Sequence, residues 1–284
     1  MFFHKPATII NGKQIAKSLL DSLKPRIINL KTRGITPQLV VFMVGDHRPS
    51  ITYVNRKKDA AEALGINFSL HTFPADVSEM KLSEAIRSAN EDLNTHGIIV
   101  QLPLPDALPT RKIINTITPE KDVDCMTDKN LGRLVMGNPK FTPPTPEAVF
   151  TILRELNIDP AGHTVTIVGT GPLVGKPLAV MMIDRRATVT TCNHQTTDLR
   201  AACRSAEILI TAVGKKDLIR GDMIRRDTIV IDTGISFSEK IMYGDVHFAS
   251  TLRRAQAITP VPGGVGPITV SLLIENTITA AERA

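Results

Sequence analysis

Val165-Thr166-Ile167-Val168-Gly169-Thr170-Gly171-Pro172-Leu173-Val174-Gly175-Lys176-Pro177 is the stretch that decides the fold. Four β-branched residues suit a strand, and a cluster of glycines then ends it abruptly. A strand that enters a helix through a glycine turn can hold a pyrophosphate. The missing side chains let the backbone approach the phosphates, and the helix N-terminus offers free N–H groups. The spacing G-x-G-x-x-x-G is one residue longer than the usual dinucleotide fingerprint, and taken alone an ordinary strand–helix turn fits it as well. The surroundings favour the dinucleotide. Strands are expected over 164–168, 187–192, 207–212 and 228–232, with a helix over 173–183, so the glycine turn opens a β-α-β series. About twenty residues on, a carboxylate would hold the ribose 2′-hydroxyl of NAD, and an arginine would hold the 2′-phosphate of NADP. Thr191-Cys192-Asn193-His194-Gln195 offers neither, apart from His194 when protonated. These residues leave the choice of nucleotide open.

Working outward, the first half of the chain alternates in the same way. Ile15, Leu19, Leu23, Ile27 and Leu30 recur at helical spacing, with Pro25 inside the run as a point of kinking. A buried strand is expected over 39–44, a helix capped by Ser50 and ending near Gly65, a strand over 66–73, a helix over 78–94 and a strand over 97–102. The stretch 118–146 breaks this rhythm with Pro119, Gly132, Gly137, Pro139, Pro143, Pro144 and Pro146. It reads as the crossing between two domains, after which Thr145 and Pro146 supply the N-cap and first residue of a helix to about 156. A last helix is expected over 268–281. The fold class is therefore α/β in two domains, each with a mostly parallel sheet and helices on both faces.

Two segments of the first half carry chemistry. In Gly45-Asp46-His47-Arg48-Pro49-Ser50-Ile51-Thr52-Tyr53-Val54-Asn55-Arg56-Lys57, Tyr53 and Lys57 are four apart and share one helical face. An aromatic ring beside an amine suits a flat heterocycle with a reacting centre next to it, and a lysine in a partly dry cleft can lower its pKa enough to move protons. A surface lysine beside a half-buried tyrosine is the plain alternative. In Gly97-Ile98-Ile99-Val100-Gln101-Leu102-Pro103-Leu104-Pro105, Gln101 falls at the carboxyl end of a parallel strand, where open α/β sheets bind ligands. The loop Pro119-Glu120-Lys121-Asp122-Val123-Asp124 adds carboxylates, one of which could meet the N–H edge of a pterin; a loop aspartate equally caps turns.

Composition narrows the classes. The chain has 284 residues, 42% hydrophobic and 22% charged, with a formal net charge of +6. A basic field attracts phosphates and carboxylates, but no Lys/Arg block with interleaved aromatics points to nucleic acid. Cys125, Cys192 and Cys203 form no C-x-x-C pair and the seven histidines no H-x-x-x-H spacing, so reduced thiols and no metal are expected. Met1-Phe2-Phe3-His4-Lys5-Pro6 is too short an apolar run for an export signal, and no stretch reaches membrane-spanning length, so a cytoplasmic protein without membrane partners is expected.

Together these segments resemble the bifunctional methylenetetrahydrofolate dehydrogenase/methenyltetrahydrofolate cyclohydrolase family. The likeness rests on V-G-D-x-x-x-S-x-x-Y-V-x-x-K at Val44 to Lys57, G-I-I-V-Q-L-P-L-P at Gly97 to Pro105, K-D-V-D at Lys121 to Asp124, N-x-G-R-L at Asn130 to Leu134, V-G-x-P at Val174 to Pro177 and I-T-P-V-P-G-G-V-G-P-x-T-V at Ile258 to Val270. It spans essentially the whole chain. The resemblance implies a catalytic domain of residues 1–144 plus 268–284, a Rossmann-like NAD(P)-binding domain of residues 145–267 between them, and a folate in the cleft. It implies hydride transfer from 5,10-methylenetetrahydrofolate to NADP, with NAD possible, then hydrolysis to 10-formyltetrahydrofolate in one-carbon metabolism, in a homodimer. Tyr53 would stack on the folate, Lys57 would transfer protons, Gln101 would hold Lys57, and Asp124 would bind the pterin edge. Val100, Leu102, Pro103, Pro262, Gly263, Gly264 and Thr269 would complete the substrate site. Gly169, Thr170, Gly171, Val174, Gly175, Asn193, His194, Thr211, Ala212, Gly214, Asp232, Gly234 and Ile235 would face the dinucleotide.

Some positions depart from the family pattern. Thr170 stands where an arginine is common, and Asn193 and His194 replace a usual polar pair; both changes fall where a 2′-phosphate would sit. Cys125 and Met126 stand where glycine and an aromatic are common, Pro144 replaces a common cysteine, and Glu147-Ala148 replaces a residue followed by glycine. These departures motivate one alternative, a catalytically weak paralogue that binds folate or dinucleotide. A lysine-dependent dehydrogenase of amino or hydroxy acids does not account for the tail, and a formyltetrahydrofolate ligase would need a G-x-x-x-x-G-K-[ST] loop that the chain lacks.

Overall fold

The computed structural model describes residues 7–238 and 241–284. The run Met1-Phe2-Phe3-His4-Lys5-Pro6, read above as too short for an export signal, lies outside the described residues. In chain order the elements are β1 (Thr8–Ile9), α1 (Gly12–Thr32), β2 (Gln38–Val44), α2 (Arg48–Ala63), β3 (Asn67–Phe73), α3 (Glu79–Glu91), β4 (Gly97–Val100), α4 (Thr110–Ile114), α5 (Asp128–Val135) and α6 (Pro144–Glu155). The second series is β5 (Thr164–Val168), α7 (Gly175–Asp184), β6 (Thr188–Cys192), α8 (Leu199–Ser205), β7 (Ile208–Thr211), β8 (Ile229–Asp232), β9 (Ser236–Ser238), β10 (Ile241–Tyr243), α9 (Phe248–Leu252), β11 (Ala257–Ile258) and α10 (Val265–Glu282). They fall into two compact units: a lysine unit of residues 17–144 and 270–284, and a glycine unit of described residues 7–16 and 145–269.

The lysine unit is built on a parallel sheet of order β3-β2-β4. Leu39 to Val44 are all buried because both faces of β2 are covered. Leu39, Val41 and Met43 pack with Leu23, Ile27 and Leu30 of α1, Val54 and Ala61 of α2, and Leu273, Ile274 and Ile278 of α10. Val40, Phe42 and Val44 face the other way, into Leu82 and Ile86 of α3 and Ile113 of α4. The period of two along the strand thus divides one apolar run between two cores. Arg26 ties α1 to α10, its Nε and Nη2 donating to Glu282 at 2.9 and 2.7 Å. Helix α1 runs through Pro25 without a break.

The glycine unit holds a six-stranded parallel sheet of order β1-β11-β8-β7-β5-β6, plus the antiparallel hairpin β9-β10. Cys203 of α8 and partly buried Phe248 of α9 pack with Val168, Leu209, Val230 and Ile258 of the sheet. Strand β5 lies between β6 and β7, so successive connections leave it in opposite directions. That reversal opens a crevice at the carboxyl ends of the strands, and the glycine turn sits in it.

Several expectations are revised. Ser50 is not the cap of α2; His47 holds that position, Pro49 follows in the first turn, and Ser50 is buried inside the helix. Helix α6 starts at Pro144 rather than after Thr145, since a proline is well suited to a first turn whose N–H needs no partner. Helix α7 starts at Gly175, because residues 169–174 make a longer turn than 173–183 allowed. Residues 7–16 group with 145–269 rather than with the lysine unit, because β1 pairs in parallel with β11 and Gly12 abuts the backbone of Gly264. Short helices α4 and α5 occupy the stretch between β4 and α6, part of which had been read as a bare crossing.

Candidate active site

In the lysine unit, α2 brings Tyr53 and Lys57 to the carboxyl end of the small sheet. Lys57 Nζ donates to Gln101 Oε1 at 3.0 Å, and Gln101 Nε2 donates to the carbonyl of Leu102 at 2.8 Å. The Gln101 amide is aligned in turn by its own backbone, whose N–H donates to Phe42 O at 2.8 Å, prolonging the β2–β4 ladder by one residue. Behind it, Ser50 Oγ lies 3.3 Å from the same Leu102 carbonyl and 3.0 Å from His47 Nδ1.

Asp124 reaches this group through a loop anchored by its neighbour. The buried Asp122 carboxylate accepts from the N–H groups of Met126 and Thr127 at 3.0 and 2.9 Å, from Thr127 Oγ1 at 2.7 Å and from Asn130 Nδ2 at 2.9 Å. Asp122 is therefore architectural, while among the described residues no group donates a hydrogen bond to the Asp124 carboxylate. Burial is the first influence on both reacting groups: it lowers the Lys57 pKa, with Asp124 opposing, and it raises the Asp124 pKa, with Lys57 opposing. Each group is pushed toward neutrality by desolvation and held back by the other's charge. A lysine so placed gives up its proton more readily than a solvated one. Burial also raises the Tyr53 phenol, so the ring stays neutral, with Arg56 5.7 Å from its centroid.

Tyr53, Lys57, Gln101, Leu102 and Asp124 are thus gathered in one unit. Val100 is not available through its side chain, which packs in the core with Val40 and Phe42. Pro103 is exposed at the loop surface. Pro262, Gly263, Gly264 and Thr269 belong to the glycine unit, where Gly264 lies against Pro260 and Thr269 Oγ1 is 3.3 Å from Thr145 Oγ1. Cys125 adopts φ 55°, a left-handed conformation that favours glycine, and its thiol is buried and raised well above the ordinary range. That explains why a glycine would fit where this chain has cysteine.

In the glycine unit the residues fit a dinucleotide at the β5 turn. A Cβ on Gly169 (φ 109°) would overlap the Ala212 carbonyl, and one on Gly175 would overlap the Gly169 carbonyl, so both glycines are required for close backbone packing. Gly171 meets nothing within 4 Å and lies exposed at the mouth of the turn beside partly exposed Thr170. No side chain caps α7 at Val174, which leaves its N-terminus receptive to an anion. At the end of β6, Asn193 Oδ1 accepts from Gln195 N at 2.9 Å and so holds its own turn, and His194 is exposed. Thr211 and Asp232 are fully buried and bond each other at 2.9 Å, so they shape turns rather than present side chains. The backbones of Gly214 and Ile235 meet at the tips of the two following turns. Asp245, which no sequence motif singles out, accepts from three successive N–H groups of the turn after β7.

A glycine turn at a sheet reversal, in one chain with a desolvated lysine held by a glutamine and an aspartate, defines a dinucleotide-dependent enzyme that also moves protons. The catalytic-domain model of tetrahydrofolate dehydrogenase/cyclohydrolase matches residues 10–124, and the NAD(P)-binding-domain model of the same family matches residues 143–284. The chain belongs to the tetrahydrofolate dehydrogenase/cyclohydrolase family. It is 47% identical over 279 residues to the bifunctional protein FolD of Moorella thermoacetica, covering 98% of this chain and 100% of the relative. Among solved structures, the bifunctional FolD of Campylobacter jejuni superposes with a TM-score of 0.95 at 38% identity, over 98% of this chain and 99% of that one. The Trypanosoma brucei FolD complexed with NADP cofactor and inhibitor also has a TM-score of 0.95, at 35% identity and 99% coverage of each chain.

Proposed function

We propose that this chain oxidises 5,10-methylenetetrahydrofolate to the 5,10-methenyl cation with NAD(P)+ and hydrolyses that cation to 10-formyltetrahydrofolate. The observation that carries the proposal is the Lys57–Gln101 bond of 3.0 Å beside Asp124, in a chain of this family. The dinucleotide, held by the turn from Gly169 to Gly175, supplies the hydride acceptor. Tyr53 stacks on the folate rings, and Asp124, whose carboxylate accepts no hydrogen bond among the described residues, takes the N–H edge of the pterin. Water adds to the methenyl carbon and loses one proton; the bond from that carbon to N5 then breaks as the remaining hydroxyl proton leaves and N5 takes a proton, giving the formyl group on N10 with one proton released overall. Lys57 moves these protons, and burial, by lowering its pKa, lessens the repulsion of a charged amine for the cation. Gln101 fixes the amine in place.

The acceptor is NADP+, with NAD+ a close competitor. The Trypanosoma brucei enzyme, 35% identical, is complexed with NADP, which supports the first. Thr170, Asn193 and His194 offer no permanently charged group for a 2′-phosphate, which supports the second. The two values of kcat/KM are expected to differ by about tenfold or less. No described helix is long and apolar enough to cross a membrane, and a cytoplasmic homodimer acting on small molecules is the expected state. A purely binding paralogue is disfavoured by the intact lysine group. The deciding assay supplies 5,10-methylenetetrahydrofolate with either nucleotide and follows reduced nucleotide and methenyl absorbance together. Reduced nucleotide without lasting methenyl absorbance is expected; folded protein that turns over neither nucleotide would refute the proposal.

A further inference from the structure

We infer that Asp245 and Asp232 form a positioning pair for the dinucleotide, an inference that rests on dinucleotide binding by the glycine unit. Asp245 accepts from Val213 N at 2.7 Å, Gly214 N at 2.8 Å and Lys215 N at 2.7 Å. Three successive N–H groups converging on one point make a nest that ordinarily takes an anion from outside. Here the chain fills it with its own carboxylate, and so fixes the turn that follows β7. Asp232 does the same for the turn after β8. It accepts from Gly234 N, Val246 N and Thr211 Oγ1, each at 2.9 Å. The two carboxylates are interlocked through glycines. A Cβ on Gly234 would overlap the Asp245 carboxylate, and one on Gly244 would overlap that of Asp232. Both turns lie at the carboxyl edge of the sheet, beside Gly169, whose own backbone packs against Ala212.

Electrostatics agree with this geometry. Burial, then the neighbouring Asp245 charge, pushes Asp232 up to about 6, against the pull of the Val246 N–H, the Thr211 hydroxyl and the Asp245 N–H. Burial also raises Asp245, with its three backbone donors opposing. Two like charges kept this close inside a fold disfavour the folded state, so their retention calls for a role that uncharged side chains cannot fill. Accepting from six donors, four of them in the turns after β7 and β8, is such a role.

The test is Asp245→Asn in the full chain, because an amide has one acceptor oxygen for three N–H groups and turns its own N–H₂ against them. The KM for NAD+ and for NADP+ is expected to rise about tenfold or more. Hydrolysis of supplied 5,10-methenyltetrahydrofolate, which needs no nucleotide, is expected to stay within about twofold of the parent. Thr211→Val, which removes one donor from Asp232 and keeps the shape, is expected to raise the same KM about threefold with hydrolysis again unchanged. Nucleotide KM values within twofold of the parent in both variants would overturn the pair's role. So would parallel loss of both activities in Asp245→Asn together with an unaltered KM in Thr211→Val. A parent protein that reduces neither nucleotide would instead refute the proposed function, so the two failures are distinguishable.

Discussion

Each unit places an ionisable pair at the carboxyl edge of a parallel sheet, half-buried in one and buried in the other, yet the two pairs are opposites. Lys57 and Asp124 carry opposite charges, and the Asp124 carboxylate receives no hydrogen bond among the described residues. Asp232 and Asp245 carry like charges, and each accepts three hydrogen bonds from the chain. The difference teaches how to tell a reacting group from an architectural one in the same part of a fold. Burial perturbs both pairs, so a perturbed pKa alone does not discriminate. The donors do: a carboxylate that already accepts three hydrogen bonds from its own chain has little capacity left for a ligand, whereas one that accepts none keeps all of it.

The largest effect that could break this comparison is on Lys57. Lys57→Met should lower hydrolysis of 5,10-methenyltetrahydrofolate by about a thousandfold, read as the decay of its absorbance. Nucleotide affinity measured by calorimetry should be unchanged. A variant that still hydrolyses at half the parent rate would place the proton transfer elsewhere. Next comes Asp124→Asn, with a rise of about tenfold in the folate KM, since a charge-assisted pair of hydrogen bonds to the pterin becomes a neutral one. The same change carries a pH signature. Asp124 holds the Lys57 pKa up against desolvation; without it the amine gives up its proton more readily, and the rising limb of the pH–rate profile should move to lower pH. Gln101→Ala should lower the rate of hydrolysis by about tenfold and move that limb the same way, because Gln101 supports the protonated amine.

The smallest effect concerns stability and compares the units directly. In the lysine unit, buried His96 accepts from Gln38 N at 3.2 Å, and burial, then Lys121, lowers its pKa below 6.5. The unfolded chain therefore binds the proton first, and this contribution to stability is lost as pH falls below about 6.5. In the glycine unit, Asp232 is raised to about 6, so it takes up its proton first in the folded chain. Its contribution grows as pH falls through 6. Melting curves of the parent and His96→Gln between pH 7.5 and 5.5 separate the two. The parent should lose about 1–3 °C relative to the variant on acidification. Parallel curves would mean that His96 is not buried neutral.

Much of the reacting site was legible because helical spacing and strand ends are local signals. Tyr53 and Lys57 four apart, Gln101 at the end of an apolar run, and the glycine turn after Val168 each follow from a few neighbouring residues. What escaped was set by distant partners. Strands β1 and β11 are two residues each, and only their pairing makes them strands. Ser50 has the chemistry of a cap, but burial against the Leu102 carbonyl overrides it. Asp245 looks like an ordinary turn aspartate after Gly244, because its three donors lie some thirty residues earlier in the chain. The grouping of residues 7–16 with the glycine unit escaped for the same reason, since they contain no sign of the strand they will join.

That pairing of Thr8–Ile9 with Ala257–Ile258 also sets an order of events. A contact that joins positions so far apart in sequence forms late, because the chain loses loop entropy before the contact contributes anything. Strand β2 and its neighbours β3 and β4, close together in sequence, can assemble while the ribosome is still making the rest. The edge strand of the nucleotide-binding sheet must wait for nearly the entire polypeptide. Until then β8, which will take β11 as its neighbour, remains an open edge able to pair with other chains. Synthesis therefore passes through a stage in which the small sheet is paired but α10 has yet to cover Leu39, Val41 and Met43, while the nucleotide-binding sheet is still open at β8.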